Sequence, residues 1–451
     1  MNTSHRITRV AFTGALSTLF IALACGQANA APAAPPSFPC GGFGTGNAVK
    51  LIPVPRLSNG EFTNPGADCA MWQTFFYLNW PAVAGKRGVP DTNAKFGAPG
   101  ATVWETFMTE DQVFLPNGAR PQPWNTLKDS AGAPTAVAGK IASGQLRMLN
   151  RTSKVSHAVA KLRTTMNGIN AAGVPLDEIQ QADGNVLYDQ QKIPVYYDVA
   201  MNQTEFTYIN NNGLYNANTQ AAYASKTNIA LPNGSIEVKG AWKVLTATEA
   251  SSGRFHIAQG YIPGANNGPG QTVAIGLVGF HVFASGGSNG AGMWATFYQV
   301  DNAPMQGNIG TGPYSFYNPA SQTPINTKNT NPTQVNQVFP DEPDSVKVTK
   351  EAQKIIAQGY AQSPWQYYAM VDTQWSPTTF PAPPKPPAAV PLFFGNPSTA
   401  TMINAVLETF MQTEGNSCLS CHAYATTAQS GSTTAAGFSF MLGNAKAPAK
   451  P

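Results

Sequence analysis

The residues of this chain with the clearest chemistry lie near its C-terminal end, in the run Cys418-Leu419-Ser420-Cys421-His422. Two thiols three positions apart can form thioethers with the two vinyl groups of one porphyrin, and the adjacent imidazole can bind the iron. Leu419 and Ser420 are expected to act only as spacers. The run therefore predicts one covalent haem c, attached to Cys418 and Cys421, with His422 as the proximal iron ligand.

A C-x-x-C pair has three other interpretations: a redox-active dithiol, half of a zinc site, or a structural disulfide. A zinc site needs a second pair of ligands, and Cys40 and Cys69 are not spaced as C-x-x-C. A thioredoxin-like dithiol is expected between a strand and a helix. This pair instead follows a predicted helix and precedes a loop rich in Ser, Thr, Ala and Gly, so the pattern favours haem.

The first 30 residues have the features of a secretory signal peptide. Arg6 and Arg9 form a basic start, an apolar stretch follows, and Ala28-Asn29-Ala30 is a small-residue cleavage site. Polar residues interrupt the apolar stretch, so a membrane anchor is less favoured. Cleavage after residue 30 also fits better than lipoprotein processing at Cys25. We therefore expect a protein of the periplasm or one that is secreted, and export supports the haem interpretation.

The composition fits an exported protein of low charge. Only 11% of the 451 residues are charged and the net charge is +4, whereas typical domains have about 25% charged residues. No basic patch of the kind that binds nucleic acid is present, and no stretch after residue 30 could span a membrane. In an oxidising compartment Cys40 and Cys69 can pair as a disulfide. The expected partner is a redox protein or a small-molecule substrate, and the oligomeric state stays open.

Two aromatic stretches, Cys69–Trp80 and Thr102–Met108, have apolar residues at helical spacing and predict helices against the core. The scattered acids Glu105, Glu110 and Asp111 are expected on a helix surface.

Between residues 192 and 300 the apolar period changes to two, which predicts strands. These stretches are Pro194–Val199, Ile236–Trp242, Phe255–Ile262, Thr272–Phe283 and Met293–Val300, with a hairpin loop at Gly286–Gly290. Helices are predicted at Gln203–Asn211 and Val348–Gln358. The expected fold class is α+β, with a β-rich antiparallel central body, flanking helices and a small α-helical C-terminal haem c segment.

The domain boundaries follow from proline content. We expect a signal peptide at 1–30, a Pro-rich leader at 31–60, the body at 61–376, a Pro-rich linker at 377–397 and the haem segment at 398–451. The linker contains Pro381–Pro391, an extended polyproline-type stretch. After it, a helix capped by Ser398 or Thr399 and ending at Gly415 is predicted, with the apolar stripe Ile403, Val406, Leu407, Phe410 and Met411. So short a segment cannot enclose haem alone, so the body must supply a wall of the pocket.

The sixth position of the iron has several candidate ligands. Met441 lies 19 residues after His422, and the other histidines of the exported chain are His157, His256 and His281. Met441 can equally belong to a tail packed on the porphyrin edge, and His281 can be a hydrogen-bonded core residue. The position can also be open, so Met441, His281 and an open site remain alternatives.

Several phrases of the chain, spread over residues 69–442, resemble a family of exported bacterial proteins known only as cytochrome c family proteins. They are Trp72-Gln-Thr-Phe75, Leu78-Asn-Trp-Pro81, Asn211-Asn-Gly-Leu-Tyr215, Ile236-Glu-Val-Lys-Gly-Ala-Trp-Lys243, Gly279-Phe-His281, Trp294-Ala-Thr-Phe297, Val300-Asp-Asn302, Trp365-Gln-Tyr-Tyr368, Thr373-Gln-Trp375 and Phe438-Ser-Phe440, with the haem motif. The resemblance implies a large β-rich body with one C-terminal haem. In the family pattern a His stands at the position of Gln299, so that position has no axial role here.

Two functions are expected from these observations. The first is an electron-transfer cytochrome, and the alternative is a haem-dependent oxidoreductase of the oxygenase or peroxidase type whose β-rich body binds the substrate. A third hypothesis is a binding protein whose haem is a sensor. No catalytic triad, metal-ligand cluster or phosphate loop stands out, so the catalytic residues are unknown.

Overall fold

The computed structural model describes residues 63–127, 135–149, 185–264, 270–286, 292–376 and 384–449. The predicted signal peptide, the Pro-rich leader and Cys40 lie outside these residues, so the pairing of Cys40 with Cys69 stays a prediction. His157 and most of the predicted hairpin loop at Gly286–Gly290 also lie outside them.

The described chain contains helices, strands and short 3-10 turns. The helices are α1 (Asn64–Leu78), α2 (Glu110–Val113), α3 (Thr135–Ala142), α4 (Gln203–Asn211), α5 (Ala217–Ala224), α6 (Ala247–Ser251), α7 (Pro343–Gly359) and α8 (Cys418–His422). The strands are β1 (Met108–Thr109), β2 (Arg147–Met148), β3 (Tyr196–Met201), β4 (Ile236–Val244), β5 (Ile257–Ile262), β6 (Gln271–Ala284), β7 (Met293–Gln299) and β8 (Tyr368–Trp375). The 3-10 turns are Trp104–Thr106, Pro116–Gly118, Pro364–Tyr367 and Met441–Asn444.

The strands form one mixed sheet around the long strand β6. One edge of β6 pairs with β4, and the other edge pairs with β5 along its first half and with β7 along its second half. β8 continues the sheet beyond β7, while β3 and β1 continue it beyond β4. All pairings are antiparallel except that of β2 with β5. The expected α+β class, with a β-rich centre and flanking helices, is confirmed.

The five predicted strands and the two later helices form within a few residues of their expected bounds. α4 begins and ends as predicted because the side chain of Asn202 caps it by accepting from the N–H of Glu205. α7 begins five residues earlier than expected, since the Glu342 side chain accepts from the N–H groups of Asp344 and Ser345. In Thr102–Met108, however, only a 3-10 turn and the start of β1 form, so that helix prediction is wrong.

The helix predicted after Ser398 is also wrong, because this stretch forms a series of turns. The Asn404 side chain accepts from the N–H of Val406 (3.1 Å) and donates to the sheet at Phe297 O (2.9 Å). The Glu408 side chain accepts from the N–H of Asn404 at 2.9 Å. Such local bonds from side chain to backbone compete with the helical pattern.

One face of the sheet is covered by α1 and α7 and forms the main core. Phe75 of α1 lies at its centre, with ring centroids 4.4 Å from Phe297, 5.4 Å from Trp365 and 5.0 Å from Trp72. All four side chains are fully buried. Edge-to-face and tilted aromatic pairs of this kind stabilise a core beyond their buried area.

The opposite face of the sheet is covered by the chain after residue 384 together with other irregular segments, since Val278 belongs to one cluster with Leu187, Phe316, Val335 and Val406. Gly279 of β6 permits this contact, because a Cβ atom there would lie 2.9 Å from Val406. The end of the Pro-rich stretch packs with the same segment, since the N–H of Val390 donates to Thr433 O (2.9 Å) and Ala388 O accepts from Ala435 (2.8 Å). The C-terminal segment therefore lies directly on the sheet. None of the helices in the described ranges combines the length and apolar character needed to cross a membrane.

The main core yields a stability prediction. Truncation of the fully buried Phe297 to Ala is expected to lower the free energy of unfolding by about 3–5 kcal/mol, because it removes aromatic contacts and leaves a cavity. Phe393 is 64% exposed, and its truncation to Ala should change the free energy by less than about 0.5 kcal/mol. Urea unfolding of both variants measures the difference, and equal effects would contradict the assignment of this core.

Candidate functional site

The C-x-x-C-H run forms its own short helix, α8. The Ser417 hydroxyl accepts a hydrogen bond from the N–H of Ser420 (3.3 Å), and the Ser420 hydroxyl accepts one from the N–H of Ser417 (2.9 Å). The Leu419 side chain is fully buried, and its N–H donates to the side-chain oxygen of Gln374 on β8 at 2.8 Å. The expectation that Leu419 and Ser420 act only as spacers is therefore wrong, because they fix the turn and tie it to the sheet.

The side chains of Cys418, Cys421 and His422 leave α8 on the same side, since positions i, i+3 and i+4 of a helix are neighbours. All three residues are half-buried. The two cysteines pack against a group of apolar residues that we call the motif cluster. The cluster contains Phe283, Trp294, Val371, Met402, Met411, Leu419, Ala423, Tyr424 and Phe438. It joins the motif to β6, β7 and β8 of the body.

The electrostatics of Cys418 argue against a redox-active dithiol. Burial raises the pKa of this thiol well above its usual range, and the charges of Glu408, Cys421 and Asp372 raise it further. Reactive dithiols need a cysteine with a lowered pKa. Cys418 is not part of a disulfide. In the described part of the chain, no group of three or more His, Cys, Asp or Glu side chains is arranged to hold a metal ion.

The imidazole of His422 is oriented and neutral. Its Nδ1–H donates to the backbone oxygen of Phe438 at 2.7 Å, and its ring lies 4.2 Å from that of Trp294 and 4.8 Å from that of Phe440. Burial lowers the pKa of His422 to about 3 despite its partly accessible surface, because the ring sits among densely packed neighbours. No hydrogen bond reaches Nε2 from the described residues, so this nitrogen presents a lone pair. Metal-binding histidines commonly have this arrangement.

The backbone that delivers the Phe438 carbonyl is strained. Phe438 has φ of +68°, a region that bulky residues rarely adopt, and the preceding Gly437 has φ of +62°. A Cβ at Gly437 would lie 2.7 Å from Ile229 O. Strained residues of this kind are concentrated at functional sites. Here the strain has a visible result, which is the hydrogen bond that orients His422.

Of the described candidates for a sixth ligand, His281 lies on β6 two residues before Phe283 of the motif cluster. Its strand register places it between Lys239 of β4 and Thr296 of β7, on the face covered by the C-terminal segment. Its Nε2 is 2.7 Å from a carboxylate oxygen of Glu408, and its Nδ1 is buried without a hydrogen-bond partner. The charges of His281 and Lys239 also lower the pKa of His422, whereas the charge of Glu408 raises it.

The side chains of the other two described candidates pack outside the motif cluster. Met441 is 2% exposed and belongs to the main core rather than to the motif cluster. His256 is buried, with its Nε2 3.0 Å from Glu105 and its ring stacked 4.6 Å from that of Trp365. Both side chains therefore have structural roles within the core.

A second polar site, which the sequence did not reveal, lies around Glu105. Glu105 and Glu110 are 2% and 3% exposed, so the expectation that they lie on a helix surface is wrong. Arg147 donates from Nε to Asp198 at 2.7 Å and lies 4.8 Å above the ring of Trp104. The only feature of the sequence that indicates burial of Glu105 is its position next to Trp104 within an aromatic stretch. A cleft opens here, lined in part by Glu105, Glu110, Asp111, Arg147, Tyr197 and Asp198.

A third polar group joins α1, α7 and β8. Asp68 accepts from the hydroxyl of Ser345 at 2.9 Å, and the same hydroxyl lies 3.5 Å from Asp372. Burial raises the pKa of Asp68 to about 8 and that of Asp372 to about 7. The charge of Asp372 reaches Cys418, so this group is part of the electrostatic surroundings of the motif.

Comparisons of the chain with protein-family models, with curated proteins and with solved structures find no match.

The raised pKa of Asp68 predicts a pH dependence of stability. Folded Asp68 keeps its proton up to about pH 8, whereas the unfolded carboxyl releases it near 3.8. The stabilisation is therefore complete below pH 3.8 and is lost as the pH rises towards 8. Asp68→Asn, measured by urea unfolding from pH 4 to 8, should become progressively more stable relative to the unmodified protein as the pH rises. Parallel curves for the two proteins would contradict the assignment.

Proposed function

We propose that this chain is an exported mono-haem c-type cytochrome that transfers electrons. Cys418 and Cys421 would hold the haem covalently, and His422 would bind its iron as the proximal ligand. When bound, the group supplies one-electron chemistry at the iron. The partner would be a redox protein that docks on the exported molecule.

The proposal rests on the hydrogen bonding and the neutral form of the His422 imidazole. Its Nδ1–H is committed to the Phe438 carbonyl at 2.7 Å, and its Nε2 lone pair has no partner among the described residues. The ring leaves α8 on the same side as both cysteines. A disulfide gives no reason for this imidazole to be oriented, neutral and adjacent to both thiols. A zinc site would need a further ligand, and no group of three or more His, Cys, Asp or Glu side chains in the described residues is arranged to hold a metal ion. A haem c site requires all three features.

The residues around the motif have defined roles in this proposal. The Phe438 carbonyl fixes the orientation of the imidazole and makes it a stronger ligand. The rings of Trp294 and Phe440 flank the imidazole and limit the access of water. The hydrogen bond from the Leu419 N–H to Gln374 holds α8 at a fixed distance from the sheet.

The cleft at Arg147 favours a second candidate, a haem-dependent oxidoreductase whose body binds a substrate. Tyr197 lines that cleft and also donates from its hydroxyl to Val406 O (3.4 Å) in the C-terminal segment. Glu408 contributes to a raised pKa of Tyr197, although burial is the larger cause. Tyr197 therefore lines the cleft and also contacts the segment that carries Glu408, the hydrogen-bond partner of His281. An iron with two protein ligands favours electron transfer, and an open position favours the second candidate.

Covalent attachment is the test of the proposal. When the chain is produced in cells that mature c-type cytochromes, we expect haem to remain on the polypeptide after acid-acetone extraction, with the mass increased by one haem. Both motif cysteines should resist alkylation in the denatured protein. The double variant Cys418→Ala, Cys421→Ala should lose all covalent haem, whereas Gln429→Ala, at an exposed site beyond the motif, should keep it.

Complete extraction of haem from the unmodified chain would overturn the proposal, as would two motif cysteines that react fully with the alkylating reagent. Bound zinc in place of haem would have the same consequence.

A further inference from the structure

We propose that His281 is the second axial ligand of the haem iron, binding through Nδ1, and that Glu408 positions it. This inference rests on the proposed function, because it needs haem at the motif. It identifies the group on the far side of the iron, which neither the motif nor the comparisons assign.

The first support is the unequal state of the two ring nitrogens of His281. Nε2 lies 2.7 Å from the Glu408 carboxylate, which can only accept, so Nε2 carries the hydrogen. Nδ1 is buried and has no hydrogen-bond partner. Buried polar atoms in native structures are almost always satisfied, and each exception needs an explanation. An iron atom bound to Nδ1 would supply the missing partner.

The second support is the arrangement of carboxylate, imidazole and vacant nitrogen. Histidines that bind metals commonly donate their other ring N–H to a carboxylate, which fixes the tautomer and the ring orientation. Glu408 is held in place for this role because its second oxygen accepts from the N–H of Asn404 at 2.9 Å. Asn404 is in turn anchored to the sheet by its bond to Thr296, 2.8 Å from nitrogen to oxygen.

The third support is position. His281 shares its face of β6 with Phe283, whose ring lies 4.5 Å from that of Trp294. Trp294 in turn lies 4.2 Å from His422. Phe283 and Trp294 are paired across β6 and β7, so this chain of contacts places both imidazoles on the same side of the sheet.

The other candidates are engaged elsewhere. The Met441 side chain is in the main core, and the neighbouring Leu442 O accepts from the Gln220 side chain at 2.8 Å, which holds this turn in place. His256 is bound to Glu105 and stacked on Trp365. Of the described histidines and of Met441, His281 alone combines a buried vacant nitrogen with a place beside the motif.

Spectroscopy of the haem-loaded protein tests the inference. The unmodified protein should be low-spin in both redox states, should lack the long-wavelength ferric band of methionine ligation, and should not bind carbon monoxide when reduced. His281→Ala should become high-spin and bind carbon monoxide, and added imidazole should restore the low-spin spectrum. His281→Met, which keeps much of the volume, should gain the methionine band. Met441→Leu is the matched control and should leave every spectrum unchanged.

Glu408→Gln separates positioning from ligation. The variant should stay low-spin, while its midpoint potential should rise, because a neutral amide makes the imidazole a weaker base and stabilises ferric iron less. The same Glu408→Gln change is also made in His281→Met, where no imidazole is present. A rise in potential of equal size in that background would show that the carboxylate acts only through its charge and would contradict a positioning role.

A low-spin spectrum that persists in His281→Ala, or one that is lost in Met441→Leu, would overturn the inference and leave the proposed function standing. A high-spin unmodified protein that binds carbon monoxide would also overturn it and would favour the oxidoreductase. Absence of covalent haem would overturn the proposed function itself, and the inference with it.

Discussion

The long strand β6 buries apolar side chains on both of its faces, and this requirement shapes the rest of the structure. Leu277 and Phe280 belong to the main core, whereas Val278 and Phe283 belong to clusters on the opposite face. A fully buried side chain of this size contributes about 1.5–3 kcal/mol. Leaving either face open to water would therefore remove much of the stability of a marginally stable domain. The sheet needs a cover on both sides.

The segments that pack on the two faces of the sheet differ in structure, and this difference explains why the C-x-x-C-H motif and its polar neighbours lie on one face. One face packs mainly against helices α1 and α7, although Met441 and Leu442 of the C-terminal segment also belong to that core. The other face packs against irregular chain, including the chain after residue 384, whose polar groups are not all used in regular helical hydrogen bonds. The strained carbonyl of Phe438 and the carboxylate of Glu408 both come from this cover. The motif is thus held against the sheet by the same packing that protects β6.

Much of the fold can be predicted from the sequence, because the strands and helices depend on patterns of neighbouring residues. The strands follow from alternating β-branched and aromatic residues, and α4 follows from the cap at Asn202. The C-x-x-C-H motif is also recognised locally, because its chemistry depends on three residues at fixed spacing.

The predictions that are wrong depend on contacts between residues far apart in the sequence. The apolar stripe from Ile403 to Met411 fitted a helix, but hydrogen bonds of Asn404 to its own backbone and to β7 stabilise turns instead. The sequence predicts a surface position for Glu105, because nothing in it shows that His256, 151 residues away, lies beside this side chain.

In the proposed haem site, the few buried carboxyl groups near the motif would have a large effect on the reduction potential, because the chain carries few charges. Burial of an iron centre raises its reduction potential, because the oxidised form carries more charge, and nearby ionised carboxylates lower it again. Glu408 has a lowered pKa: burial acts to raise it, but the charge and hydrogen bond of His281 outweigh that effect, so this group is ionised. Asp372, with a pKa raised to about 7 by burial, is only partly ionised at neutral pH. The positive charge of Lys239 would raise the reduction potential, opposite to the carboxylates. In the proposed haem site, the potential would therefore depend mainly on the balance between burial and Glu408. The same carboxylate contacts His281, so in this proposal its position would act on both the ligand and the potential.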